Sequence, residues 1–150
     1  MTPHAETFIN PHAEPRQSAY GTQRASVMSQ AGFDAAFAEI SSWPGYAPTP
    51  LVSLPNLAQQ LGVAEILYKD ERGRFGLGSF KALGGAYAVA NVLRLKVQQT
   101  HGLTQISSTQ LLSGAFKDVI GASTVTCATD GNHGRSVAWG ARLFGCKCVI

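Results

Sequence analysis

The chain has 150 residues, of which 45% are hydrophobic and 14% are charged, and its net charge is +3. This composition is typical of a globular domain with a substantial core and excludes a disordered chain. The basic excess is small and scattered, which gives no support to nucleic-acid binding. No stretch reaches the roughly 18 consecutive apolar residues that a membrane helix needs. We therefore expect neither a nucleic acid nor a membrane as a partner.

The N-terminal part is polar and then becomes periodic. Residues 1–24 carry three prolines and predict a loosely ordered segment. From Ser29 to Trp43, apolar residues recur at intervals of four and three, which predicts a short amphipathic helix that ends before Pro44. The first 20 residues lack the basic start and apolar core of a secretory signal, and three cysteines do not fit a disulfide framework. Both observations favour a reducing, cytoplasmic location.

The middle of the chain predicts short alternating elements. The first three are an edge strand in PTPLVSL (48–54), a helix in 56–61 closed by Gly62, and a strand in 64–69. A helix is then predicted from Ala82 to about Gln99, with Leu83, Tyr87, Ala90 and Leu93 on one face. A further helix is predicted from Ser108 to Val119.

One lysine, Lys81, lies in GSFKALGGAYAV (78–89), a run with almost no other charge. Ser79 is the predicted N-cap, so Lys81 falls in the first helical turn. The helix dipole and partial burial there both favour the neutral amine, the form that condenses with a carbonyl. Gly84 and Gly85 each cost roughly 1 kcal/mol in a helix, which indicates a close approach to the backbone. A snorkelling lysine on a glycine-rich packing face explains the same pattern.

The last 27 residues predict a βαβ unit with two parallel strands. Its parts are a strand at 124–130, a turn in GNHG (131–134), a helix at 136–144 that Gly145 closes, and a second strand in CKCVI (146–150). The sequence stops inside this last strand, so we expect it to be the N-terminal part of a longer protein.

A polar cluster follows the first of these strands. Asp130, Gly131, Asn132 and His133 lie at the carboxyl end of the strand, where open α/β sheets bind ligands. Asn132 can donate to an oxygen and cap the helix, and the glycine lets a planar ligand approach. Asp130 is a candidate general base, and His133 a candidate acid or base. Turn chemistry alone explains the same residues, since Asp and Asn favour Asx turns.

The cysteines Cys127, Cys146 and Cys148 suggest no metal site. A strand would place Cys146 and Cys148 on one face, but two ligands without neighbouring partners make a poor zinc site. We interpret all three as small buried hydrophobic residues.

Together the lysine segment and the GNHG segment resemble pyridoxal-phosphate enzymes of fold type II, such as the serine/threonine dehydratases, threonine synthase and the tryptophan synthase beta chain. Three stretches are similar to one branch, the diaminopropionate ammonia-lyases: GYAPTPL (45–51), YKDERGRFGLGSFKALGGAYA (68–88) and ATDGNHGRSVAWGARLFG (128–145). The RFGL run and Asp130 are the most specific features. Dehydratases usually carry serine or glycine at position 130 and Ser, Thr or Gly at Leu77.

The resemblance implies a three-layer αβα fold with a parallel sheet and pyridoxal 5'-phosphate as the cofactor. It implies that Lys81 forms the Schiff base with the cofactor and that Asn132 bonds the phenolic oxygen of the pyridine ring. Gly131 and His133 complete the implied cofactor-binding set. Asp130 would lie near the substrate Cα as the base for one enantiomer, with Lys81 serving the other. The family's phosphate loop and ring-nitrogen partner match nothing here, so these 150 residues alone should be inactive.

The implied organisation is a segment 1–24, a first part of the large cofactor domain at 25–100, and the start of a smaller βαβ domain at 101–150. The implied reaction is α,β-elimination on D- and L-2,3-diaminopropionate, which gives pyruvate and two ammonia. The expected protein is a cytoplasmic homodimer that acts on a small amino acid. Two alternatives stay open: a serine/threonine dehydratase of the same fold, and a non-catalytic ligand-binding remnant.

Overall fold

The computed structural model describes residues 9–15, 17–129 and 131–150. The chain divides into two compact units, Met1–Asp34 and Ala35–Ile150. The helices are α1 (Thr22–Val27), α2 (Gln30–Ser41), α3 (Pro55–Leu61), α4 (Lys81–His101), α5 (Ser108–Leu112), α6 (Lys117–Ala122) and α7 (Asn132–Phe144). The strands are β1 (Leu51–Ser53), β2 (Leu67–Lys69), β3 (Thr124–Thr126) and β4 (Lys147–Val149). The predicted domain boundaries near residues 24 and 100 stay predictions.

Strands β1 and β2 pair antiparallel, with Val52 opposite Tyr68, and α3 connects them. The predicted closure of α3 is confirmed, because Gly62 adopts the left-handed conformation with φ of 65°. Both strands are shorter than the sequence pattern predicts. They lead the chain to a 3-10 segment, Glu71–Gly76, that precedes α4.

Helix α4 buries a face made mostly of small residues. Ala90 and Leu93 of the predicted face are buried, whereas Leu83 and Tyr87 are only partly covered. The remaining buried positions of this helix are Ala82, Gly85, Ala86, Val89 and Val97. The residues in the first half of this face are small because another helix, α7, packs directly against them.

The prediction of a single helix from Ser108 to Val119 is wrong. The chain forms α5 and α6 instead, and between them Gly114 takes a φ of 80°, a left-handed conformation that interrupts an α-helix. Helix α5 begins with a capping box, in which the Ser107 hydroxyl accepts from the Gln110 N–H while the Gln110 side chain accepts from the Ser107 N–H.

The predicted order of strand, helix and parallel strand in the βαβ unit is confirmed, but the first strand, β3, ends at Thr126 and is shorter than the predicted strand at 124–130. Strands β3 and β4 pair in parallel, with Val125 opposite Cys148, and α7 forms the crossover between them. The prediction that GNHG forms a separate turn is wrong, since α7 already begins at Asn132. Gly145 closes this helix with a φ of 85°, as predicted.

The core of the second unit lies between α4, α7 and Trp43. Trp43 is 2% exposed, and its ring lies 5.9 Å from that of Phe144 in an edge-on arrangement. The Trp43 indole N–H donates to Glu39 Oε1 at 2.9 Å, which satisfies its one polar atom. Within the described residues, no helix is both long and apolar enough to cross a membrane.

Candidate active site

Two serine hydroxyls hold the main chain of Lys81, the first residue of α4. The Ser79 hydroxyl accepts a hydrogen bond from the Lys81 N–H at 3.1 Å. The Ser136 hydroxyl, on α7, donates to the Lys81 carbonyl at 2.5 Å. The predicted N-cap needs a correction: Phe80 occupies that position, and Ser79 binds the first turn from one residue further back. The peptide groups on both sides of the lysine are therefore fixed.

The side chain of Lys81 is exposed, so the expected partial burial is wrong. The buried face of α4 begins one residue later, at Ala82, and Lys81 lies off that face. The Lys81 Nζ lies 4.7 Å from the centre of the Phe80 ring, and it forms no ion pair with the residues that the structure describes. An amine held only by a cation–π contact is accessible to an aldehyde.

The segment before Lys81 follows an unusual backbone path. Phe75 has a φ of 48°, a left-handed value that is unfavourable for a residue with a side chain. Gly76 and Gly78 both have a φ of 70°, which glycine adopts without strain. The RFGLG sequence thus turns the chain from the 3-10 segment into α4, and the two glycines are required by this geometry.

A partly buried ion pair anchors the same segment to the loop before β1. Arg74 is 6% exposed; its Nε donates to Glu71 Oε2 at 2.8 Å and its Nη1 to the Ala47 carbonyl at 2.9 Å. The Thr49 hydroxyl also donates to Glu71, and the Arg74 guanidinium lies 5.5 Å from the Tyr46 ring centre. The hydrogen bond from Arg74 lowers the pKa of Glu71 to about 2, and the same bond raises the pKa of Arg74. This pair was not predicted from the sequence, although the i,i+3 spacing of Glu71 and Arg74 is a recognisable signal.

The Phe75 side chain connects this segment to α7. Its ring lies 4.6 Å from the Trp139 ring and 6.1 Å from the Trp43 ring. The main chain before Lys81 is therefore held by Arg74 on one side and by an aromatic cluster on the other.

Helices α4 and α7 pack through small residues and run in the same direction. A Cβ at Gly85 would lie 2.3 Å from the Ser136 Oγ, and one at Gly140 would lie 2.8 Å from the Ala86 Cα, so neither position has room for a side chain. Gly85 of α4 contacts Ser136 of α7, and further along α4 Ala86 and Val89 contact Gly140, which is also further along α7. Because residue numbers increase in the same direction on both helices, the helices are parallel. The N-termini of α4 and α7 therefore lie at the same end.

This contact explains one of the two glycines after Lys81. The predicted close approach to the backbone is real at Gly85, where the approaching group is α7. Gly84 is exposed, and a Cβ there would meet no described atom within 4 Å.

The residues of the GNHG segment occupy different environments. Gly131 precedes α7 without a side-chain cap, and Asn132 is the first helical residue, so the predicted capping by Asn132 is wrong. The Asn132 side chain is exposed and makes no hydrogen bond to the part of the chain that the structure describes. Gly134 is buried, and a Cβ there would lie 2.9 Å from the Thr129 carbonyl oxygen. The predicted base Asp130 lies outside the described residues.

His133 borders a cavity of about 360 Å³ between α4, α7 and β3. The cavity wall is mainly apolar and includes Val89, Val125 and Val137. Neither Lys81 nor Asn132 belongs to its lining. The structure therefore brings Lys81 and Asn132 to one end of the helix pair and places His133 beside an apolar cavity.

The three cysteines are free and half-buried rather than fully buried. Desolvation raises the pKa of the Cys146 thiol and of the Cys148 thiol, which favours the protonated form of both. Across residues 9–15, 17–129 and 131–150, no group of three or more His, Cys, Asp or Glu side chains is arranged to hold a metal ion.

Comparison with known proteins identifies similar sequences and structures. The family model described as pyridoxal-phosphate dependent enzyme matches residues 42–150. A diaminopropionate ammonia-lyase of Salmonella typhimurium strain LT2 is 46% identical over 107 residues, which cover 71% of this chain and 26% of that relative. The crystal structure of Escherichia coli diaminopropionate ammonia lyase in apo form is 43% identical in sequence and superposes with a TM-score of 0.67. The match covers 81% of this chain and 31% of the Escherichia coli chain.

A second crystal structure of the Escherichia coli enzyme contains an aminoacrylate-PLP azomethine reaction intermediate. The match covers 81% of this chain and 28% of the Escherichia coli chain, with 38% sequence identity and a TM-score of 0.61. The chain spans about a quarter of the length of the curated relatives it matches. These findings confirm the predicted fold class, and the chain belongs to the family of pyridoxal-phosphate dependent enzymes.

Proposed function

We propose that this chain supplies the lysine and part of the ring-binding set of a pyridoxal-phosphate site in an ammonia-lyase that acts on 2,3-diaminopropionate. One observation carries the proposal: the exposed amine of Lys81 and the exposed amide of Asn132 start two parallel helices at the same end. The family match and the 46% identity to diaminopropionate ammonia-lyases support the cofactor and the substrate class.

The side chains at this end fit the cofactor chemically. An accessible primary amine suits the aldehyde of pyridoxal phosphate, and an amide N–H suits its phenolic oxygen. Gly131 carries no side chain beside Asn132, and a Cβ there would meet no described atom within 4 Å, so a flat ring has room to approach. In this proposal His133 borders the site from the side of the apolar cavity.

Bound pyridoxal phosphate supplies an electron sink for the negative charge that develops at the substrate Cα. In the proposed mechanism the amine of Lys81 would hold the cofactor aldehyde, and as a free amine it would take the Cα proton of one enantiomer. Asp130 takes the Cα proton of the other enantiomer from the opposite face. Asn132 keeps the ring in place by donating to the phenolic oxygen.

The overall reaction breaks the Cα–H bond and the Cβ–N bond of 2,3-diaminopropionate. The β-nitrogen leaves with a proton as the first ammonia, and one water converts the remaining three-carbon unit to pyruvate and a second ammonia. The substrate, one water, pyruvate and two ammonia balance, and no oxidant or reductant is needed.

We further propose a cytoplasmic homodimer. Three free cysteines are consistent with a reducing compartment, and the dimer rests on the resemblance to fold type II enzymes. Light scattering coupled to size-exclusion chromatography of the whole protein measures the assembly, and a monomeric mass would contradict the homodimer.

The cofactor assignment is tested by reducing the whole protein with borohydride in the presence of pyridoxal phosphate and mapping the labelled peptide by mass spectrometry. We expect the label on Lys81. Lys117 is a matched control because it is also exposed and is also the first residue of its helix, α6. A label on Lys117 or any other lysine would overturn the assignment.

The substrate is tested by pyruvate release from D- and L-2,3-diaminopropionate and from serine. Faster release from diaminopropionate supports the ammonia-lyase. Faster release from serine would identify a dehydratase instead, and an absence of cofactor binding by the whole protein would identify a non-catalytic relative.

A further inference from the structure

We propose that Ser136 is a positioning residue for Lys81, and that its hydroxyl holds the main chain of the cofactor lysine at a fixed position relative to the start of α7. The proposal rests on the function proposed above. Ser136 is fully buried and reaches neither the lysine amine nor solvent; it acts through the main chain. No role for Ser136 was predicted from the sequence.

The geometry ties two helix starts together through one side chain. Ser136 lies in the second turn of α7, four residues after Asn132, and its hydroxyl donates to the Lys81 carbonyl at 2.5 Å. In an α-helix that carbonyl already faces the N–H of Gly85, so Ser136 adds a second donor to it. The bond spans 55 positions in sequence and is a side-chain link between the first turn of α4 and α7.

The bond also requires a specific neighbour. The Ser136 hydroxyl reaches the carbonyl only because position 85 is glycine, since a Cβ there would lie 2.3 Å from the Oγ and 2.8 Å from the Cβ of Ser136. Such a Cβ would displace the serine from the carbonyl. Gly85 and Ser136 therefore form one unit, in which the missing side chain of the first makes room for the hydroxyl of the second.

The consequence for a cofactor is geometric. A lysine side chain has four rotatable carbon bonds, so the direction of its Cα–Cβ bond decides where the amine is found most often. With the Lys81 N–H bound to Ser79 and its carbonyl bound to Ser136, that direction is fixed relative to Asn132. Loss of the Ser136 hydroxyl leaves the Lys81 carbonyl with its helical partner alone, so the first turn of α4 is held less tightly to α7. The fraction of protein whose amine and amide fit the same ring then falls.

The test compares Ser136→Ala with Ser123→Ala in the whole protein. Ser123 is a matched control, because it is also buried and also donates to a main-chain carbonyl, that of Val119 at 2.7 Å, but it does not contact Lys81. The readout is the dissociation constant of pyridoxal phosphate, measured from the visible absorbance of its lysine adduct at a temperature where both variants are folded. We expect about 3- to 10-fold weaker binding for Ser136→Ala, as one hydrogen bond of typical strength predicts, and no change for Ser123→Ala.

A second pair of variants separates the hydrogen bond from packing. Gly85→Ala should lower both the melting temperature and the cofactor affinity. Adding Ser136→Gly removes the clashing hydroxymethyl group, so the double variant should regain much of the melting temperature while its affinity stays low. Recovery of affinity together with stability would show that packing rather than the hydroxyl matters, and would overturn the proposal.

Equal affinity of Ser136→Ala, Ser123→Ala and the unmodified protein would also overturn it. That result would leave the proposed function intact, because the unmodified protein would still carry the adduct on Lys81. An unmodified protein that forms no adduct contradicts the proposed function itself.

Discussion

The ring of Phe75 lies 4.6 Å from the ring of Trp139, at an interplanar angle of 30°. This contact joins the left-handed turn before Lys81 to the helix that begins with Asn132. Phe75 has a φ of 48°, a conformation that costs of the order of 1 kcal/mol or more for a residue with a side chain. The aromatic contact offsets that cost, and it holds both candidate site segments to one core.

We therefore expect Phe75→Ala to lower the free energy of unfolding by about 2 to 3 kcal/mol, since it leaves a cavity among Trp43, Tyr46 and Trp139 without relieving the backbone conformation. Urea denaturation measures the change. Phe80→Ala is the control, because that ring is 57% exposed and its loss should change stability by less than about 0.5 kcal/mol. Equal effects of the two variants would contradict the role given to the Phe75 ring.

The Glu71–Arg74 pair predicts a pH dependence. Folding lowers the pKa of Glu71 from 4.5 to about 2, so the stabilisation is fully present above pH 4.5 and is lost as the pH falls towards 2. We expect Glu71→Gln to remove about 1 to 3 kcal/mol of stability at pH 7 and to flatten the acid limb of the stability curve.

The measurement is urea denaturation between pH 7 and pH 3. Glu65→Gln is the control, because Glu65 is exposed and forms no ion pair with the described residues. If the free energy of unfolding of Glu71→Gln falls as steeply towards pH 3 as that of the unmodified protein, the pH dependence comes from other groups.

The close contact of α4 with α7 predicts opposite effects of two glycine substitutions. Gly140→Ala would place a Cβ 2.8 Å from the Ala86 Cα, so we expect it to destabilise the protein by about 1 to 3 kcal/mol. Gly84→Ala would place a Cβ in open space within a helix, so we expect it to stabilise by up to about 1 kcal/mol. Thermal denaturation measures whether each variant is more or less stable than the unmodified protein. A stabilising Gly140→Ala would contradict the packing described for these helices.

The proposed base Asp130 predicts an asymmetry between enantiomers. If Asp130 takes the Cα proton of one enantiomer and Lys81 that of the other, Asp130→Asn should lower kcat on one enantiomer by about 100-fold or more and change the other much less. Pyruvate release from D- and L-2,3-diaminopropionate measures the ratio. Equal losses on both enantiomers would reduce Asp130 to a residue that only shapes the strand–helix turn.

Much of the local structure could be predicted from the sequence. Glycines after the apolar runs marked the ends of α3 and α7, because a left-handed C-terminal residue favours glycine wherever it occurs. The βαβ unit was also predictable, since its apolar strands and its helix have different periods. The break between α5 and α6 was not predicted, because a glycine inside a periodic run interrupts a helix only when the tertiary packing requires it.

The sequence by itself determined the candidate segments for the proposed chemistry, Lys81 with its glycines and the GNHG segment, since these patterns are local and the resemblance follows from them. Only the tertiary structure decided how the two segments meet. The burial of Ser136 against Gly85, the hydrogen bond of Arg74 to the Ala47 carbonyl and the contact of Phe75 with Trp139 all join residues that are distant in sequence. Helix direction and side-chain contact depend on the three-dimensional path of the chain, and a pattern along one segment does not contain that path.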